Sequence, residues 1–156
     1  MAKKIKWTDG DVFAIPLMDN SFSIGQVLDS QMENVVRIAL YDEKINSLEN
    51  INLLSLCKEP NLISLLASTR EQLDYGFWKI IGNKEVTVSK IDFPNQQYRI
   101  ANWIGAVIYD AVVLEDFLNS FYSFLPWDDW FNTDFLDEFL IDVSKKPKTL
   151  LFKKKQ

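Results

Sequence analysis

The chain has 156 residues, a length typical of one domain, and we expect a single domain over residues 1–156. Its composition, 47% hydrophobic and 13% aromatic, excludes a disordered chain and supplies enough apolar material for a core. The formal net charge of −5 argues against a general nucleic-acid binder, which carries a basic excess. The chain has no histidine and one cysteine, so His-based catalytic pairs, His-ligated metals and internal disulfides are excluded.

The N-terminal "MAKKIKW" is not followed by an apolar stretch of signal-peptide length. The longest mostly apolar run, residues 103–114, contains Asp110 and is too short to span a bilayer. We therefore predict a cytoplasmic protein without a membrane partner.

The first half of the chain alternates with period two, which is typical of β-strands. Residues 12–17 form the first predicted strand, and "DNS" at 19–21 supplies the turn into a second strand. In that second strand the apolar phase slips by one residue between Ile24 and Val27. Gly25 lies at the slip, which predicts a β-bulge or a close backbone approach there.

Further strands are predicted along the chain to residue 109. "VVRIALYD" reads as the third, and 61–69 fits a strand or a short helix, of which the strand is favoured. Residues 76–83, 85–91 and 102–109 give three more, the last being apolar on both faces as expected of a covered central strand. Four side chains are predicted to be buried in the core: Phe13, Ile15, Trp78 and Ile104.

The last third changes to helical spacing. Apolar residues within 113–125 recur at helical intervals, and Pro126 is expected to end that helix. Asn132 or Thr133 could cap a second short helix, and "KTLLFKKK" could add an edge strand. The predicted fold class is α+β and mostly β, with a bent antiparallel sheet or partly open barrel from 10–109. One or two helices from 113–142 cover it, and a basic tail occupies 145–156.

Residues 110–142, the acidic segment, contain nine acids and no Lys or Arg. One interpretation is an amphipathic cover whose acids face solvent. The other is a docking face for a basic partner, with aromatic side chains as anchors. Because Pro126 places Trp127 and Trp130 on a connection, both rings are expected to be exposed anchors. The predicted partner-binding residues are Asp116, Trp127, Asp128, Asp129, Trp130, Asp134, Asp137 and Glu138.

Nothing in the sequence predicts catalysis. The adjacent acid pairs at 128–129 and 137–138 lack a surrounding motif and favour a solvated face over a metal or acid–base site. Cys57 is interpreted as a small core residue rather than a nucleophile. We predict no catalytic residues, no metal and no cofactor. Residue chemistry leaves open a small SH3-like β-barrel adaptor that binds a peptide or nucleic acid.

Three stretches of the chain stand out together: "KWTDGDVFAIPLMDNSFSIGQVL", "RIALYD" and "GFWKIIGN". They resemble the immunity protein 26 family of bacterial polymorphic toxin systems, and the likeness covers roughly residues 5–83. The resemblance implies a mostly β, cytoplasmic antidote that binds a cognate toxin domain and blocks it, and it implies no catalytic residues. The acidic segment lies outside the likeness and is the predicted place for toxin-specific contacts. Its charge favours a toxin with a basic surface, such as a nuclease, and we expect no nucleic acid as partner.

Overall fold

The computed structural model of the protein describes residues 3–153. Its centre is an antiparallel five-stranded sheet that is not closed into a barrel, with the strand order β4-β3-β2-β1-β5. The strands are β1 (Asp11–Pro16), β2 (Phe22–Met32), β3 (Val35–Ile45), β4 (Leu62–Thr69) and β5 (Lys79–Asn83). The mostly β, α+β class is confirmed, as is the choice of strand over helix for residues 61–69.

The turn between β1 and β2 is closed by local hydrogen bonds. The Leu17 amide donates to the Ser21 carbonyl (2.8 Å), and Asn20 adopts a left-handed conformation (φ 68°). The Asp19 carboxylate accepts from the Ser21 amide (3.0 Å) and pairs with Lys44 of β3 (2.8 Å). The Lys44 ammonium and the Ser21 hydroxyl lower the pKa of Asp19 to about 2.

One face of the sheet, the helix face, packs against α2 (Ala111–Phe121) and the single-turn α1 (Glu71–Asp74). Phe13 and Ile15 are fully buried there, as predicted. Trp78 is fully buried as well, and its ring is parallel to that of Phe13, with the ring centroids 5.4 Å apart. Its Nε1 donates a hydrogen bond to the Glu115 carboxylate of α2 (2.9 Å). This face holds the main core.

The opposite face, the loop face, is covered by residues 51–57 and 86–93. The Glu43 carboxylate holds the first of these segments by accepting from the backbone amides of Cys57 (2.6 Å) and Lys58 (2.9 Å). Cys57 is half-buried against both loop-face clusters, and burial raises the pKa of its thiol to about 12. Because both faces are covered, the strands carry buried side chains on both sides.

Two predicted strands are wrong: residues 85–91 have no pairing partner, and of 102–109 only Tyr109 pairs, in an isolated bridge to Ser68 of β4. In 85–91, Val86 and Val88 pack against the loop-face cluster through their side chains, and no strand forms. In 102–109, left-handed residues such as Trp103 (φ 67°) and Gly105 (φ 95°) prevent an extended conformation. Ile104 is consequently 76% exposed, so its predicted place in the core is wrong.

Gly25 shows the predicted close approach but not the predicted bulge. It pairs with Phe13 on one side and Leu40 on the other. A Cβ atom at this position would lie 2.5 Å from Cζ of Phe13. The apparent phase slip comes instead from Gln26, which is buried and donates to the carbonyls of Gly10 (3.3 Å) and Lys84 (3.0 Å).

Among the described residues of the C-terminal third there is one α-helix, where one or two were predicted. Asp110 caps α2 by accepting from the Val112 amide (3.1 Å). The helix ends at Phe121, before the left-handed Ser123 (φ 66°), and so five residues earlier than Pro126. The second predicted helix is a 3-10 segment, Phe135–Phe139, and just before it Asn132 Oδ1 accepts from the Asp134 amide (3.0 Å).

The predicted C-terminal edge strand does not join the sheet. Within the described residues, "KTLLFKKK" contributes one isolated parallel bridge between Leu151 and Pro126. The end of that predicted strand, Lys154 and Lys155, lies outside the described residues, as does part of the predicted basic tail.

Candidate acidic recognition site

The structure divides the eight predicted partner-binding residues by burial. Trp127 and Asp128 are buried, at 1% and 8% exposure. Asp116, Trp130 and Asp137 are half-buried, and the remaining three are exposed: Asp129, Asp134 and Glu138. Trp127 and Asp128 therefore present little surface in the free protein, and the assignment of all eight residues to partner binding stays a prediction.

Trp127 is a core residue, so its expected exposure is wrong. Its ring packs against Phe117 of α2 with centroids 5.8 Å apart. Its Nε1 donates to Asp137 Oδ1 (2.7 Å), and Lys146 pairs with the same carboxylate (2.9 Å). A buried indole needs a hydrogen-bond acceptor, and Asp137 supplies it from ten residues further along the chain. This pair orients the connection that follows α2.

The acid pair at 128–129 holds the basic tail. Asp128 accepts from the Lys153 backbone amide (2.6 Å), and Asp129 pairs with the Lys153 ammonium (3.0 Å). The Trp127 amide donates to the Leu151 carbonyl (2.8 Å) in the same stretch. The hydrogen bond and charge of Asp129 raise the pKa of Lys153. The chain thus neutralises part of its own acidic segment.

Three of the eight residues come together around one small cavity of about 280 Å³, the acidic cavity. Asp116 and Ser120 reach it from successive turns of α2, because residues four apart share a helix face. The connection after the helix supplies the other lining residues, Leu125, Pro126, Asp129 and Trp130. The local left-handed turn at Ser123 folds this connection back over the helix.

Asp116 dominates the chemistry of the acidic cavity. Its carboxylate makes no hydrogen bond or ion pair within residues 3–153, and partial burial raises its pKa. The Trp130 indole beside it packs on Phe135 at 4.9 Å and is fixed in place. A poorly solvated carboxylate next to an indole attracts a cation by charge and by cation–π interaction. The cavity therefore suits a Lys ammonium or an Arg guanidinium.

Asp134, Asp137 and Glu138 do not line this cavity. Glu138 lies near Tyr109, whose pKa is raised first by burial and then by this carboxylate. Asp137 is occupied by Trp127 and Lys146, as described above. These three acids add negative charge to the segment without sharing the cavity's geometry.

Sequence reasoning missed a cleft of about 590 Å³ on the loop face. Tyr41, Leu62, Leu65 and Val88 form its apolar part, with Glu59 and Asp92 also in its lining. Its residues come from β3 and β4, from the covering segment 86–93 and from Glu59 and Ile141, so only the folded chain brings them together. Their spacing in the sequence carries no signal of a common site.

Within residues 3–153, no cluster of three or more acidic or cysteine side chains has the arrangement of a metal site. In the same range no helix has the length and apolar character needed to cross a membrane.

The fold and the acidic cavity define a β-rich α+β protein with a surface site suited to a cationic group. Residues 8–102 match the family model described as Immunity protein 26, and the chain belongs to that family. The match is longer than the likeness that the sequence motifs indicated, and it ends before the acidic segment. No curated protein and no solved structure gives a match.

Proposed function

We propose that the protein is a cytoplasmic immunity protein that binds a cognate toxin domain and neutralises it by stoichiometric occlusion, without catalysis. Membership of the immunity protein 26 family is the observation that supports this function. The proposed partner is the toxin domain alone.

The acidic cavity is the proposed point of contact. The toxin places a Lys or Arg side chain between Asp116 and the Trp130 ring, while Asp129, paired with Lys153, forms part of the rim. The remaining acids of the segment extend the negative field, which speeds encounter with a basic surface. Trp127 and Asp128 act indirectly, because they fix the connection and the tail that shape the cavity.

A basic toxin surface fits a nuclease. An enzyme that grips phosphates must be positively charged where it does so, and an acidic inhibitor competes for that same surface. On this proposal, binding of the immunity protein and binding of nucleic acid to the toxin are mutually exclusive.

The test begins with the cognate toxin, identified by pull-down and mass spectrometry and confirmed by rescue of growth on co-expression. Stopped-flow binding then compares wild type with Asp116→Asn and Trp130→Ala. Each substitution is expected to weaken binding about tenfold, through faster dissociation, because it removes one side of the cation's site.

Glu49→Gln is the matched control, because Glu49 is an exposed acid outside the acidic segment. It should leave dissociation unchanged and alter only the salt dependence of association slightly. If Asp116→Asn and Trp130→Ala bind like Glu49→Gln, the contact lies elsewhere on the protein. If no toxin is bound and no cell is protected, the neutralising function itself is rejected.

A further inference from the structure

A second pocket, of about 390 Å³, has the opposite charge character from the acidic cavity and shares no lining residue with it. It lies between the β2–β3 hairpin and the 95–107 loop. Asn95 and Val107 close that loop through two hydrogen bonds of 2.9 Å. The pocket is lined by Asp29, Ser30, Gln31, Arg37, Lys90, Gln96, Arg99 and Trp103.

Arg37 forms the back of this pocket, and all three nitrogens of its guanidinium donate hydrogen bonds within the protein. Its guanidinium makes two bonds of 2.6 Å to the Asp29 carboxylate. It also donates to the Pro94 carbonyl (3.1 Å) and to Gln96 Oε1 (2.8 Å). The positive charge of Arg37 is thus balanced within the wall, so a ligand would meet the charges of the other side chains.

Lys90 and Arg99 are the two further cations of the pocket. Both are exposed, and neither forms an ion pair or a side-chain hydrogen bond within the described part of the chain. With Arg37 balanced by Asp29, they leave the lining with a charge of +2, on a chain whose net charge is −5. Two like charges at one pocket repel each other unless an anion lies between them.

Gln31 adds a buried donor without an acceptor. The residue is 6% exposed, and its Nε2 has no hydrogen-bond partner among residues 3–153. Its orientation is fixed by Asn95, whose amide nitrogen donates to Gln31 Oε1 (3.0 Å). Asn95 cannot be turned round, because its own oxygen accepts from the Val107 amide. A buried, unpaired donor is costly unless a ligand supplies the acceptor.

Trp103 shows backbone strain at the same place. Its φ of 67° is an outlier for a bulky side chain, and its ring lies 5.1 Å from the Arg37 guanidinium. Strain of this kind is concentrated at ligand-binding sites, where the surrounding structure holds it. The strained loop brings the indole and Arg99 to the same pocket.

From these observations we infer that this pocket binds a small phosphate ester. The Lys90 ammonium, the Arg99 guanidinium and Nε2 of Gln31 only donate hydrogen bonds, and the first two are positively charged, so an oxyanion is the ligand group that complements all three. A phosphate monoester carries about −1.5 to −2 at neutral pH, which matches the +2 of the lining better than a carboxylate does. The volume of about 390 Å³ leaves room for the organic part against the Trp103 indole.

The test is isothermal titration of the full chain with inorganic phosphate, AMP and acetate at constant ionic strength. Saturable binding of phosphate or AMP, at least tenfold tighter than acetate, is expected. Tighter binding of AMP than of phosphate would assign a role to the indole, whereas equal affinities would show that the phosphate group alone is recognised. Binding of acetate as tight as that of phosphate, or no saturable binding of any probe, overturns the inference.

Variants then locate the site. Lys90→Gln, Arg99→Gln and Gln31→Glu should each weaken binding about tenfold, the last by placing an oxygen where a donor is needed. Gln31→Glu retains an oxygen for Asn95, and its folding is checked by circular dichroism. Lys148→Gln removes an exposed lysine outside the pocket and should bind like wild type. An equal loss in Lys148→Gln would mean that the anions respond only to net charge.

Discussion

Replacing Gly25 with alanine tests how tightly the hairpin is packed against the core. The added Cβ would lie 2.5 Å and 2.6 Å from Cζ and Cε2 of Phe13, and 3.2 Å from the Ala39 carbonyl oxygen. The Phe13 ring cannot withdraw, because it is fully buried and stacked on Trp78. Overpacking of this kind lowers the free energy of unfolding by about 1–3 kcal/mol. Because the stacked rings are rigid, we expect a loss in the upper part of this range, about 2–3 kcal/mol. The melting temperature should then fall by about 4–12 °C.

Urea denaturation followed by tryptophan fluorescence gives the free energy of unfolding, and a double-mutant cycle with Phe13→Leu identifies the clash. Leucine lacks the two ring atoms that the new Cβ would meet, so Gly25→Ala should cost close to nothing in that background. Gly82→Ala is the matched control, because its Cβ would meet only the flexible side chain of Leu53, at 2.8 Å. It should change stability by less than about 0.5 kcal/mol. If the two glycine variants cost the same, or the cost of Gly25→Ala persists with Phe13→Leu, the packing explanation is refuted.

Three further predictions concern other parts of the molecule. Trp127→Phe should destabilise the protein by at least about 1–2 kcal/mol in urea denaturation, because it removes both the pyrrole part of a buried indole and the N–H donor to Asp137. No change would contradict a structural role for this indole. Asp19→Asn should reduce stability above pH 4 but not near pH 2. The pKa of Asp19 is lowered to about 2 in the folded protein, so the stabilisation from its pair with Lys44 is fully present above the pKa of the unfolded chain and is lost as the pH falls through about 2. Thermal melts from pH 2 to 7 should show the melting temperatures of the two proteins converging in acid, and a constant difference would contradict this. Cys57 should react with a thiol reagent at pH 8 only after denaturation, because burial raises its pKa to about 12, and rapid labelling of the native protein would refute that.

The five strands could be predicted because period-two patterns and turn residues are local properties of the sequence. The two extra strands could not be rejected, since Val86 and Val88 alternate correctly yet have no pairing partner. Whether a sheet edge is free depends on the whole topology. The predicted burial of Ile104 was wrong for a related reason. Its apolar neighbours form a loop, in which Trp103 contacts Arg37 of β3, instead of a strand.

The candidate site was predictable in composition but not in geometry. The acidic segment and its aromatic residues stand out in the sequence, and Asp116, Asp129 and Trp130 do share a cavity. The burial of Trp127 was hidden, because its partner Asp137 becomes visible only when the connection is folded. The phosphate pocket joins Gln31 to Lys90 and Arg99 across some 60 residues, a distance over which spacing carries no information.

The attachment of the 95–107 loop has a consequence for amide hydrogen exchange. Within residues 3–153, the backbone hydrogen bonds of this loop are local, and side chains of Gln31 and Arg37 connect it to the sheet. The loop can therefore open without disturbing the ladder of β2 and β3, and its amides should exchange through a local opening far below the global unfolding energy. Occupation of the neighbouring pocket would then slow exchange in the loop alone, while the strands keep their rates.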